Sequence, residues 1–322
     1  MKKKGLNLDN EIFRLLCILI IILAVAGITK GSSFMKVRIF QTMGRQSSEL
    51  GLMAIGCGIC MISGGIDLSC VYIANLSAIV AGLMLQSGIP IPVAVIVGIL
   101  IGSICGAFNG FLVSYMKIPA MLATLGSYQL FQGISIVISQ GSSVTGSKEF
   151  ANLGAVNVIG IPLPFIILII AIVLVGFIMS KTKFGMRIYL VGTNPRCSIF
   201  AGIENNHILV GTYLISGLLS GLSGLLALAR INSAKADFGS SYTMQCILIA
   251  VLGGVNPNGG FGSIPGIAIA VIVLQVLGSY LNQFPDVSNY YRDFIWGAAL
   301  LAVLIMNFEL ERRKTRKAML AK

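Results

Sequence analysis

Charge is what this sequence has least of. Its 322 residues include 23 Lys and Arg and 11 Asp and Glu, so charged residues make up 11% of the chain, less than half of the roughly 25% usual in soluble domains. Acids are scarcest, and between Glu49 and Glu149 the only carboxylate is Asp67. His207 is the one histidine, and no set of His, Asp, Glu or Ser suggests a triad, a carboxylate pair or a metal site. That argues against catalysis by this chain, and no cofactor is expected. No Gly-x-x-x-x-Gly-Lys-Ser/Thr phosphate loop occurs, so any ATP hydrolysis that drives the protein belongs to another polypeptide. No Ala-x-Ala site follows Lys2, Lys3, Lys4, Arg14 and the apolar run ending near Ile28, which reads as an uncleaved first span. Six of the seven cysteines (Cys17, Cys57, Cys60, Cys70, Cys105 and Cys246) lie in apolar runs, and Cys197 is in a polar loop. Cys57-x-x-Cys60, inside a span, reads as two small hydrophobes, with neither disulfide nor metal expected.

What is abundant is apolar: 56% of residues are hydrophobic and the mean hydropathy is +0.91. Apolar runs at about 12–28, 50–63, 68–87, 91–115, 118–138, 162–180, 208–229, 244–255, 263–283 and 293–308 predict an all-α integral membrane protein of about ten transmembrane helices. The net charge of +12 does not point to nucleic acid, because Lys and Arg sit at the ends of apolar runs and not along one face. With the N-terminus inside, fifteen cations fall on the inner side, among them Lys117, Lys181, Lys183, Arg187, Arg196 and six between Arg312 and Lys322. Eight fall outside: Lys30, Lys36, Arg38, Arg45, Lys148, Arg230, Lys235 and Arg292. The asymmetry places both termini in the cytoplasm. Half of the outer set lies in Thr29–Glu49, which is read as an interfacial segment with Phe34, Val37, Ile39, Phe40 and Met43 among its cations.

Two polar interruptions organise the chain. Gly64-Gly65-Ile66-Asp67-Leu68-Ser69 separates two apolar runs, and a lone acid there is costly in lipid unless it sits in protein or beside water. Gly253-Gly254-Val255-Asn256-Pro257-Asn258-Gly259-Gly260-Phe261-Gly262-Ser263 repeats the pattern later. Short, Gly-broken apolar segments in two halves point to a transporter built from structural repeats, here about 50–138 and 208–308, followed by a basic cytoplasmic tail at 309–322. Gly98, Gly102, Gly106 and Gly110 recur every four residues, and Gly217, Gly221 and Gly224 lie among Ser216, Ser220 and Ser223, so both runs predict close helix packing. The Gly-, Ser- and Asn-rich loop 141–160 is expected at the outer surface. Between the halves, 181–207 is too polar to insert, and Asn194-Pro195 reads as the capped start of a short docking helix. His207, with no acid or second histidine expected nearby, reads as an interfacial polar residue.

Four motifs carry a resemblance: Gly64 to Ser69, Ile118 to Gly126, Ile188 to Ile203, and Gly253 to Ser263. In this order they resemble the ribose/xylose/arabinose-type permeases of bacterial ABC importers over nearly the whole chain. The resemblance implies a ten-span, multi-pass permease subunit in the lipid bilayer of the bacterial cytoplasmic (inner) membrane. It also implies pairing with a second permease subunit (identical or a close relative), cytoplasmic ATP-binding cassette subunits and an extracytoplasmic sugar-binding protein. Asn194, Pro195, Arg196, Cys197, Ser198, Ala201, Gly202 and Ile203 look like the helix that couples to the ATPase. Departures are Cys70-Val71-Tyr72 in place of Val-Gly-Ser, Cys197 and Ser198 in place of small residues, and Phe261 and Trp296 where basic residues are common. Candidates at the breaks or along the path are Gly64, Gly65, Asp67, Ser69, Asn75, Thr124, Gln129, Gly253, Gly254 and Asn256, and for the path residues Asn75, Thr124 and Gln129 a bond to a neighbouring helix is the favoured reading. Asp67 is expected to cap the helix that starts at Leu68. The alternatives are an ion-coupled secondary transporter with Asp67 as coupling acid, and a membrane scaffold for which the breaks serve no purpose.

Overall fold

The computed structural model describes residues 5–31, 34–284, 291, 294–303 and 305. The lysines at 2–4, Arg292, the end of the tenth expected span and the basic tail 309–322 lie outside the described residues. Among the described residues the helices are α1 (Gly5–Lys30), α2 (Val37–Ile62), α3 (Cys70–Gln86), α4 (Ile91–Ser114), α5 (Ala120–Ser139), α6 (Lys148–Ala155), α7 (Leu163–Lys181), α8 (Lys183–Thr193), α9 (Pro195–Phe200), α10 (Asn205–Ile231), α11 (Tyr242–Leu252) and α12 (Ile264–Leu281). A further apolar helix covers Phe294–Val303. Among the described residues, six segments are long and apolar enough to cross a membrane: Ile12–Lys30, α4, α5, α7, α10 and α12. Pro within the first two positions opens α4, α7, α9 and α12, where its missing N–H leaves no intrahelical bond unmade.

Two expectations change. Residues 37–49 are not a separate interfacial segment but the first half of α2, which runs unbroken for 26 residues. The polar part is kept in helix because it lies against protein: Met43, Gly44, Ser47, Ser48 and Glu49 are buried, and Arg45 Nη2 donates to Ala155 O and Asn157 Oδ1, each at 3.0 Å. The expected surface loop 141–160 holds elements of its own, α6 and one strand of a short hairpin in which Asn157 faces Pro162 and Val158 faces Ile161, and it buries Val144 and Phe150.

α2 and α10 form the centre. α2 is buried almost without interruption from Met43 to Ile62, and α10 packs against α2, α3 and α4. α1, α4, α5 and α7 keep apolar residues such as Ile20, Leu100, Leu122 and Leu174 on exposed faces, as helices bordering lipid do. The two small-residue runs read from the sequence form one interface. A β-carbon at Gly102 would stand 2.5 Å from Gly217 O, one at Gly106 2.2 Å from Tyr213 O, and one at Gly110 2.7 Å from Val210 Cα, while at Gly98 it would meet Leu225. Only glycine lets the α4 and α10 backbones approach this closely.

Candidate functional site

Both interruptions are built by one local device. After α2, Gly64 N–H donates to Met61 O and Gly65 N–H to Cys60 O, each at 3.0 Å. After α11, Gly254 N–H donates to Val251 O at 3.1 Å and Val255 N–H to Ala250 O at 2.9 Å. These are two Schellman caps, with Gly64 (φ +93°) and Gly254 (φ +86°) in the left-handed position that favours glycine. Gly253 needs its missing side chain for another reason, because a β-carbon there would lie 2.6 Å from Ile267 N of α12.

Asp67 is fully buried. Its Oδ1 accepts from Ser69 N (2.9 Å) and Ser69 Oγ (2.6 Å), and its Oδ2 accepts from Ser216 Oγ of α10 (2.9 Å). Asn109 Nδ2 of α4 donates to Ser69 Oγ at 2.7 Å, so the carboxylate ties the first break to two other helices. Among the described residues no Lys, Arg or His pairs with it. The helix it serves begins at Cys70, with Ser69 as the N-cap position, and not at Leu68. Thr124 Oγ1 of α5 reaches Ile66 O at 3.0 Å and Ala120 O at 2.9 Å.

Nothing in the sequence indicated that the breaks touch. Gly260 N–H donates to Ile62 O at 2.8 Å, and a β-carbon on Gly259 would come within 2.8 Å of Gly64 Cα. Asn256 organises the second loop, its Oδ1 accepting from Asn258 N at 2.9 Å and its carbonyl from Gly259 N at 2.9 Å. The end of α8 abuts both breaks, and Tyr189 Oη donates to Gly262 O at 3.0 Å. Burial pushes the Tyr189 phenol above its ordinary range, which keeps it a donor.

The segment 181–207 holds two helices where one was expected. α8 turns into α9 at Asn194, whose Oδ1 accepts from Arg196 N (3.0 Å) and Cys197 N (3.1 Å). α9 ends in a third Schellman cap, with Gly202 (φ +73°) N–H donating to Ile199 O at 2.9 Å and Ile203 N–H to Ser198 O at 3.0 Å. Ser198 Oγ donates to Pro195 O at 2.9 Å and lies 2.8 Å from Asn205 Oδ1, and Asn205 Nδ2 donates to Pro195 O at 2.8 Å, so α9 is fixed to α10. Ile199 is 62% and Phe200 92% exposed, and Arg196, Cys197, Ala201 and Gly202 are exposed beside them. Behind α9, a cavity of about 760 Å³ runs to Gly64, Gly65 and Tyr213, bordered by Lys117, Glu204 and His207. His207 is not without an acid, since its Nδ1 contacts the Glu204 carboxylate one turn away.

The other candidates scatter. Asn75 Nδ2 is spent on Ala236 O (3.1 Å) and Phe238 O (2.9 Å), a bond that pins α3 to the loop before α11. Gln129 lies on the exposed face of α5 and donates to Tyr128 Oη at 2.6 Å, and Tyr128 in turn packs on Tyr72 with centroids 4.4 Å apart and the rings tilted by 35°. One pair escaped sequence reading. Buried Glu49 of α2 and half-buried Arg230 of α10 form a bidentate ion pair, with Arg230 Nη2 to Glu49 Oε2 at 2.9 Å and a closer Nε–Oε1 contact. Its signal was an acid and a base each standing alone at the edge of an apolar run.

A family model described as branched-chain amino acid transport system / permease component matches residues 39–304. The chain belongs to this permease family. The permease is 35% identical over 266 residues to the autoinducer 2 import system permease protein LsrD of Escherichia coli strain K12, covering 80% of this chain and 79% of that one. LsrD of Shigella flexneri matches equally, and that of Escherichia coli O157:H7 is 34% identical over the same length. No solved structure matches it. The resemblance carried by the four motifs is therefore borne out, and the permease is a multi-pass membrane protein.

Proposed function

We propose that this chain is the membrane permease subunit of an ATP-driven ABC importer in the bacterial cytoplasmic membrane, forming the path for a monosaccharide or similar small polar solute. The observation that carries this is the match to an import-system permease over four fifths of both chains. On this reading ATP is hydrolysed by separate cytoplasmic cassette subunits, and an extracytoplasmic binding protein delivers the solute. α9 fits the docking role, because a short, doubly anchored helix holds Ile199 and Phe200 out of the fold. The segment 181–207 then lies in the cytoplasm, as do both termini.

Two structural repeats are supported by the twin Schellman breaks, which set α2–α3 in register with α11–α12. That register places α1 opposite α10, and α3 does pack on α10 as α12 packs on α1. On this reading the first repeat extends to α1–α4, opposite α10 to Val303. A second permease subunit is supported by α5. One of its faces buries Ala123, Thr124, Ser127, Phe131 and Ser135, while the other shows Leu122, Leu125, Gln129 and Leu130, and a glutamine is a poor residue to leave facing lipid.

The test is uptake by cells carrying the whole importer, with autoinducer 2 and D-ribose as probes, in the presence of an uncoupler and with ATP held constant. Sustained uptake of either solute is expected. Loss of uptake under the uncoupler overturns the reading in favour of ion coupling.

A further inference from the structure

We propose that α8 is a wedge that holds the two helix breaks together, with Gly192 at its tip, so that displacement of α9 reaches both halves of the permease at one point. The proposal rests on the importer reading, since a partner on α9 supplies the displacement.

The junction is made of backbone. A β-carbon on Gly192 would stand 1.9 Å from Ile62 O and 2.7 Å from Gly260 N, the acceptor and the donor of the bond that joins the breaks. Gly259 closes the ring, since a β-carbon there would meet Gly192 O and the Gly64 Cα, each at 2.8 Å. Gly260 likewise sits on Thr193, where an added β-carbon would be 2.4 Å from Oγ1. Gly192 does not have a positive φ, so its glycine answers to this close approach and not to a turn.

Side chains yield to a push by changing rotamer, whereas abutting backbones do not, and packed interfaces respond by switching arrangement. Upstream, α8 and α9 are one bent unit. Asn194 N–H donates to Leu190 O at 3.1 Å, inside α8, while its side chain caps α9. Tyr189, one turn before Thr193, fastens the wedge to the second break through Gly262 O. A load on Ile199 and Phe200 thus passes through Asn194 to Gly192, and from there to the end of α2 and the loop that leads into α12. Gly192 and Tyr189 are positioning residues.

The experiment uses the assembled transporter and needs no identified solute. With Cys17→Ser and Cys197→Ser, nitroxide labels are placed at Met116→Cys, on the α4–α5 turn whose Tyr115 and Lys117 line the cavity that reaches the first break, and at Asn258→Cys in the second. The distance between them is measured by pulsed EPR with and without ATP, alongside ATP hydrolysis. In the unaltered junction ATP shifts the distance. Gly192→Ala is expected to abolish the shift while hydrolysis stays within about two-fold, and Tyr189→Phe to reduce the shift at least two-fold. Gly176→Ala, with nothing within 4 Å of the added carbon, leaves both unchanged. If Gly192→Ala does not insert, Tyr189→Phe decides. A full shift in every variant that inserts overturns the wedge alone. No ATP-dependent shift in the unaltered junction overturns the importer reading and the wedge with it.

Discussion

Asp67 is a buried acid whose charge is met by hydroxyl and amide groups instead of a cation. Three hydrogen bonds converge on it, two from Ser69 and one from Ser216. Its work is to hold the start of α3 and to bind that break to α10. Asp67→Asn keeps an acceptor for Ser69, and its new N–H donates to the Ser216 hydroxyl, so a mild loss of thermal stability and near-normal uptake are expected. Asp67→Leu strands the Ser69 N–H and two hydroxyls, each at a cost of about 1–3 kcal/mol, and a large fall in detergent melting temperature should follow. Equal damage from both variants would return the role to the charge itself. Glu49 and Arg230 are the opposite case, a buried acid with a dedicated base. Arg230→Met leaves Glu49 uncompensated and is expected to destabilise by about 3–5 kcal/mol, whereas Glu49→Met with Arg230→Met restores most of the loss. Denaturant midpoints of the two single variants and the double variant measure the coupling. Asp67 was legible because no acid accompanies it for a hundred residues of sequence. Its partner Ser216, and Asn109 that bonds Ser69 behind it, were not, because they are distant in the chain and serines and asparagines on apolar helices are common.

At the scale of elements, glycine spacing foretold that α4 and α10 pack closely but not that they pack on each other. Periodicity reports which face of a helix is small, and a partner is chosen only when both faces meet. Likewise Asn194-Pro195 marked the start of α9 because capping is a local interaction, and α8 before it carries a cap of the same kind in Thr182, whose Oγ1 accepts from Gly185 N at 3.2 Å, a weaker mark because no proline follows it. α9 carries its own prediction. Gly202 has open space around it but a φ of +73°, so Gly202→Val acts by conformational strain alone and loosens the last turn of α9. Phe200→Asp leaves the fold untouched, since the ring is almost wholly exposed. Both variants should insert normally yet lose at least ten-fold of solute-stimulated ATP hydrolysis. Normal stimulation in both would remove α9 from the ATPase contact.

For the molecule as a whole, membrane residence and a helical fold followed from composition and run length, because lipid obliges a spanning chain to satisfy its backbone within helices. Helix breaks at Gly64 and Gly254 were legible for the same kind of reason: a Gly-Gly pair amid apolar residues has few other uses. The continuous α2 was not legible, because Arg45 and Glu49 look like a surface until the Ala155 carbonyl and Asn157 side chain that bond Arg45, and the Arg230 that pairs with Glu49, are in view. The sequence by itself thus determined the environment, the helices and the places where they stop, all of which depend on neighbours within a turn or two. Only the tertiary structure decided that the two breaks meet, that Asp67 answers to α10, and that Gly192 abuts both breaks, since each is a contact between segments more than a hundred residues apart or held together by a third.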